Sequence, residues 1–244
     1  MPRTRSPDSL GELVDAAAEA FIADGYARTQ VEDVAARLGV AKGTIYGYVT
    51  SKQALFALVV GFADRREPLP GLDQLPLDIA DLPEPAAVVK QRLESELDGM
   101  VLLSVLNDPG PDAGNEVEGI VSDLLVRMRR HRVAIKIVDR CAAEFPALAQ
   151  IWFEGGRWGQ VQALADYLRS RADAKRMEIP GDATVVARSV IELCALWAVH
   201  MRWDPAPRPV DDEVVLATIP AMVRALLTRG IETRDGEAER PRYG

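Results

Sequence analysis

Residues 31–56 read VEDVAARLGVAKGTIYGYVTSKQALF, and the fold turns on them. Val34, Ala35 and Leu38 recur at helical spacing, which predicts a helix over about 31–38 with one apolar face. Gly39-Val40 ends it, because a glycine just past the last periodic residue takes up left-handed backbone without strain. A short second helix is predicted over about 42–48. Ala35 is small enough to let the two helices approach, and Val34, Leu38, Val40 and Ile45 fill the wedge between them. A helix, a tight glycine turn and a second short helix make a helix-turn-helix.

The second helix has an outward face of unusual chemistry: Lys42, Gly43, Thr44, Tyr46, Gly47 and Tyr48. Two aromatics on so short a helix cannot all be buried. Gly43 lowers helix propensity by about 1 kcal/mol relative to alanine, a cost that close approach to another surface would justify. Lys42 sets an ammonium beside the positive pole of the helix, which is unfavourable in isolation. An incoming phosphate reverses that sign, since lysine and helix end then both attract it. Lys52, near the start of the following helix, repeats the pattern. In a helix-turn-helix the second helix enters the major groove of DNA, so this face is read as a nucleic-acid contact.

Working outward, Leu10, Leu13, Val14, Ala17, Phe21 and Ile22 form one apolar stripe of a preceding helix, stopped at Asp24-Gly25-Tyr26. On the other side Thr50-Ser51, with Gln53, resembles a capping pattern that opens a helix through Leu55, Phe56, Leu58, Val59 and Phe62. Residues 1–8 read as a flexible arm bearing Arg3 and Arg5, 9–66 as the DNA-binding domain, and 67–85 as a linker, since five prolines there exclude a long helix. Residues 86–229 form a larger helical domain with amphipathic stretches over about 86–106, 117–143, 147–175, 182–203 and 211–227. Residues 230–244 read as a disordered tail. No strand-like alternation and no internal repeat is visible. The class is all-α, of about nine helices.

Charge supports this division. The chain carries a net −8, yet residues 1–66 are neutral and the acidity lies beyond them. Phosphate contact depends on local groups, not on the total. Cys141 and Cys194 have no metal-ligand spacing and read as two buried thiols, with no metal and no cofactor. No apolar run approaches the roughly 18 residues of a membrane span, and residues 1–10 have no signal-peptide core, so a cytoplasmic location away from membranes is expected. Two histidines and the lack of any hydrolase, metalloprotease or nucleotide signature argue against an enzyme.

From Leu10 to Val60 the chain resembles the DNA-binding domain of the TetR family. The resemblance rests on Ala17, Phe21, Gly25-Tyr26, Thr29, Val34-Ala35, Gly39-Val40, Lys42-Gly43-Thr44-Ile45-Tyr46, Ser51-Lys52 and Leu55-Phe56. Val49 stands where the family usually has Phe, Ala41 where Ser is frequent, and Gln30 where a Ser or Thr cap is common. The resemblance implies that Thr44, Tyr46 and Tyr48 face the major groove or its phosphate walls. It implies that Lys42 and Lys52 bind phosphates, with Gly43 allowing close approach and Thr29 and Gln30 meeting the backbone. It further implies a homodimer built on the last two helices, with Val190, Trp197, Met201, Ile219, Met222 and Leu226 at the interface. A cavity for a small, largely apolar or aromatic inducer is implied in the larger domain, for which Met128, His131, Ile135, Trp152, Phe153 and Trp158 are candidate lining residues. Ordinary core packing is the alternative for the aromatics, and for His131, with Arg129, Arg130 and Arg132 around it, a solvated face. The expected function is a repressor released from operator DNA by that ligand; a regulator without an inducer, governed by a protein partner or by abundance, is the alternative.

Overall fold

A computed structural model describes residues 7–206 and 208–238, with side chains over 9–206 and 208–228. Arg3, Arg5 and residues 239–244 therefore lie outside the described residues. The chain is helical in the order α1 (Pro7–Asp24), α2 (Val31–Leu38), α3 (Lys42–Ile45), α4 (Lys52–Phe62), α5 (Pro85–Leu97), α6 (Val101–Asn107), α7 (Ala113–Arg130), α8 (Arg132–Cys141) and α9 (Pro146–Ala149). A π-helical stretch, Gln150–Trp158, runs on into α10 (Gly159–Asp173), and α11 (Ala183–Ala198) and α12 (Asp212–Ala238) complete the order. No strand occurs among the described residues; the one extended pairing is an isolated parallel bridge between Val49 and Leu77.

The chain forms two compact units that do not follow its linear order. The first combines the residues up to Ser95 with His131–Gly156; the second combines Glu96–Arg130 with the residues from Arg157 onwards. The sequence places a single domain over 86–229, whereas 131–156 packs with the N-terminal helices.

In the first unit α4 is the central element. Ala54 through Gly61 are all buried, because α1, α8 and the 3-10 turn Ile79–Asp81 pack around it. Phe56 lies edge-on to Phe21 at 5.3 Å and stacks on Phe145 at 4.9 Å, and Tyr26 meets Phe145 at 4.7 Å. The buried Cys141 thiol points to the Phe21 carbonyl at 3.7 Å, and burial pushes its pKa up to about 12, which suppresses the thiolate. Asp64, just past α4, accepts from the N–H groups of Val133 and Ala134 at 3.0 and 3.2 Å. It thereby satisfies two orphan donors in the first turn of α8. The helix expected over 117–143 breaks at His131 (φ −112°, ψ 22°), beside this cap. Arg92 of α5 donates to the Val60 and Gly61 carbonyls near the end of α4.

In the second unit α7 packs against α11 and α12, and α10 against α11. Glu116 of α7 is buried and is held by Arg171, by the Tyr167 hydroxyl at 2.9 Å and by the Gly110 N–H at 2.6 Å. Burial, then the Glu116 carboxylate, raises the Tyr167 pKa. The expected helix over 86–106 is split at Gly99, whose φ of 65° admits no helix. Past Pro220 no proline occurs before Pro241, and α12 runs on to Ala238; the tail expected from 230 thus gives way to helix over 230–238.

Candidate nucleic-acid interface

The turn between α2 and α3 is built as the sequence requires. Gly39 sits at φ 65°, its N–H meets the Ala36 carbonyl at 3.1 Å, and the Val40 N–H reaches back to Ala35 at 3.0 Å. This doubly bonded glycine stop closes α2 and turns the chain into α3. At the other end of α2 the Asp33 carboxylate accepts from the Gln30 N–H at 2.7 Å. Gln30 thus supports the helix start through its backbone and leaves its side chain exposed.

α3 is a single turn, shorter than the expected 42–48, and turn structure follows it. Ile45, Tyr48 and Val49 point inward and are at most 3% exposed. Their spacing of three and four sends Tyr46 to the opposite side, where it is 40% exposed. Gly43 is exposed, and a Cβ there would meet nothing within 4 Å. Thr44 is half-buried. The Lys42 ammonium lies 2.5 Å from the Glu32 carboxylate of α2 and 5.6 Å from the Tyr46 ring centroid. The Glu32 contact raises the Lys42 pKa, so the lysine stays charged.

Three expected contacts are corrected. Tyr48 is buried, and its hydroxyl donates to Ser9 Oγ at 3.0 Å, so it faces α1 and not a groove. Thr29 is wholly buried, and its hydroxyl donates to the Gly25 carbonyl at 2.7 Å. Lys52 directs its ammonium inward, donating to the carbonyls of Tyr26, Ala27 and Thr29 at 2.9, 3.3 and 3.0 Å. These carbonyls follow α1 where Gly25 (φ 79°) has turned the chain, and a lysine satisfies them all at once. The cap of α4 is Ser51, whose Oγ accepts from the Ala54 N–H at 3.1 Å; Thr50 turns instead to Asp78. Sequence reasoning passed over Arg37, an exposed cation on the outer side of α2 that lies 4.0 Å from Asp24. Its place across the helix from the buried Ala35 in the helical period was the available signal.

The candidate lining residues are divided between the units: His131, Ile135, Trp152 and Phe153 in the first, Met128 and Trp158 in the second. Ile135, Phe153 and Met128 are half-buried, and Trp152 Nε1 donates to Asp139 at 3.2 Å. His131 Nδ1 lies 4.0 Å from Asp64. Trp158 is 43% exposed, which does not suit a buried lining. Of the expected interface residues, Val190 and Ile219 are buried in the second unit's own core, which corrects their assignment. The inner faces of α11 and α12 run through Ala187, Val190 and Cys194, and through Val215, Ile219, Val223 and Leu227. Trp197 and Met201 are half-buried, whereas Met222 and Leu226 are about half exposed.

A glycine-stopped helix followed by a one-turn helix that presents Lys42, Gly43 and Tyr46 defines a helix-turn-helix protein. Residues 13–59 match the sequence model of the bacterial regulatory proteins of the tetR family, so this segment carries that family's N-terminal domain. No curated protein matches the chain in sequence. Among solved structures it is similar to the ketosteroid transcriptional regulator KstR2 of Mycobacterium tuberculosis, at 17% identity and a TM-score of 0.55, covering 93% of this chain and 97% of that one. It is also similar to a tetR-family regulatory protein from Rhodococcus RHA1, at 17% identity and a TM-score of 0.48, covering 92% and 98%. Identities this low speak to the fold alone. No described helix is long and apolar enough to cross a membrane.

Proposed function

We propose that the chain is a non-enzymatic transcriptional repressor, working in the cytoplasm, that grips operator DNA as a homodimer through α3 and is released by a small apolar or aromatic ligand. The observation that carries the DNA reading is Tyr46. A tyrosine held 40% exposed on a one-turn helix, beside an unobstructed Gly43, has a ring for thymine methyls and a hydroxyl for phosphate. Lys42 supplies the neighbouring charge, and Glu32 holds it in place until a phosphate competes. Thr44 and Gln30 remain as flanking contacts.

The dimer reading is supported by the outward face of α12. Val214, Ala217, Thr218, Ala221, Met222, Ala225 and Leu226 are all exposed and all uncharged. A helix that keeps charge off its solvent side along three turns suits a second copy. Two copies are also what a short reading helix needs, because half-sites one DNA turn apart double the sequence read. For the ligand, Ile135 lies on α8, the helix whose first turn Asp64 caps from the end of α4. A molecule that displaced α8 would thus act on α4 directly, and its differential affinity for the two states would set how far release goes.

The test is a mobility-shift titration with duplex from the gene's own upstream region. Wild type is expected to bind and a folded Tyr46→Ala variant to bind at least about tenfold more weakly, a loss on the scale of one good base contact. Equal binding by the two would refute the assignment. Release of the bound duplex by apolar candidate ligands then separates the induced repressor from a regulator without an inducer.

A further inference from the structure

The proline-rich segment 67–85 carries five acidic residues and no basic one. It is not a loose connection. Leu77 is 2% exposed and runs parallel to Val49: its N–H donates to the Tyr48 carbonyl at 2.8 Å, and its carbonyl accepts from the Thr50 N–H at 2.9 Å. Next to it, Asp78 Oδ2 accepts from the Thr50 hydroxyl at 2.5 Å. Asp78 is itself fixed, since its N–H donates to Asp81 at 2.9 Å and its Oδ1 accepts from the Ala80 N–H at 3.3 Å. The 3-10 turn that follows, Ile79–Asp81, packs on α4. The segment thus holds residues 48–50, directly after α3, at three hydrogen bonds and ties them to the central helix of the unit.

This grip meets a physical need. α3 is one turn long, and helices far below about 12 residues do not hold themselves in water. Its direction must come from what packs on it and from what holds its ends. Ile45, Tyr48 and Val49 fix it from inside, but residues 46–50 are turn and bridge, with no helix of their own to stiffen them. Placing side chains for recognition to about 0.5 Å calls for a second support.

We propose that Leu77 and Asp78 are positioning residues for α3: the acidic strap clamps the chain just behind the reading helix and fixes its angle, so that affinity for DNA depends on residues that bind no phosphate. The part concerning DNA rests on the reading of α3 given above. The clamp itself does not.

The full-length chain is compared with Leu77→Ala, Asp78→Ala and Asp78→Asn, by amide hydrogen exchange without DNA and by duplex binding across a salt series. Asp78 is exposed, so its variants leave the core intact. Both alanine variants are expected to speed exchange at Thr50 and over 46–49 by about tenfold or more, with α1 and α7 unchanged. Asp78→Asn, whose one oxygen can keep the Ala80 N–H while its amide N–H donates to the Thr50 hydroxyl oxygen, drops the charge and is expected to stay within about twofold of wild type, because the bond and not the charge makes the clamp. With duplex, the alanine variants bind roughly three- to tenfold more weakly at an unchanged salt slope, whereas losing a phosphate contact would lower that slope by about one. Wild-type exchange over 46–50 in both alanine variants would overturn the proposal, as would Asp78→Asn behaving like Asp78→Ala. If wild type binds no duplex, the DNA reading fails and the exchange data still decide the clamp.

Discussion

Lys52 stands over Tyr26, its Nζ 4.4 Å from the ring centroid and 2.9 Å from the same residue's carbonyl oxygen. One ammonium therefore serves the ring and, with its other protons, the carbonyls of Ala27 and Thr29. The cation closes the turn between α1 and α2, and the serine before it caps α4. Lys52→Met keeps the stem and removes the donors. It is expected to cost about 1–3 kcal/mol in urea unfolding, the penalty for leaving such acceptors unserved. Its salt slope for DNA is expected to match wild type, in contrast to Lys42→Met, which loses about one. A Lys52→Met chain as stable as wild type would remove this role.

The two tyrosines flanking Gly47 have opposite assignments. Tyr46→Ala is expected to weaken DNA binding with little change in unfolding midpoint, since Tyr46 is exposed. Tyr48→Phe is expected to leave DNA binding near wild type and to lose about 0.5–1.5 kcal/mol of stability with the bond to Ser9. Binding titrations and denaturant melts on both variants check the pair. Reversed effects would mean that α3 presents its other side.

How far the sequence could be read depended on the range of the forces involved. Gly39, Gly25 and the stripes of α1 and α2 act within a few residues, and they were legible. The orientation of Tyr48 was not, because its partner Ser9 lies 39 residues away. Nor was the inward turn of Lys52, whose acceptors are backbone carbonyls that no side-chain pattern reveals. The break at His131 escaped because Asp64 caps α8 from 69 residues away. On α12 two apolar rows one residue apart, Val214 with Met222 and Val215 with Ile219, look alike in sequence, and only packing separates inner from outer.

Asp64 gives a pH signature of its own. Burial raises its pKa above the ordinary carboxylate value, and the Val133 and Ala134 N–H groups offset this only in part. Between its unfolded and folded pKa values the folded chain therefore holds more protons, so stability falls as pH rises through that window and is fully present below it. This is the reverse of an exposed, ion-paired carboxylate. Unfolding free energy measured against pH should show this fall in wild type and lack it in Asp64→Asn. Parallel curves would mean that Asp64 titrates normally.

The outer face of α12 predicts a change of mass without a change of fold. Met222→Glu with Leu226→Glu puts two charges on the exposed row and is expected to yield folded monomers in sedimentation experiments. Ile219→Ala, from the inner row, is expected instead to cost about 2–5 kcal/mol of stability as a core truncation. A double-glutamate variant that stayed dimeric would move the interface elsewhere.

The stacking of Phe145 on Phe56, and the packing of α8 on α1 and α4, carry a consequence for the evolution of such chains. A reading head whose core is completed by a segment some seventy residues downstream cannot be exchanged by cutting and joining genes after residue 66. A graft ending there would take Phe21 and Phe56 along and leave Phe145 and Cys141 behind. New specificities in this lineage are therefore expected to arise by point changes on the surface of α2 and α3, with the head and its downstream brace inherited together.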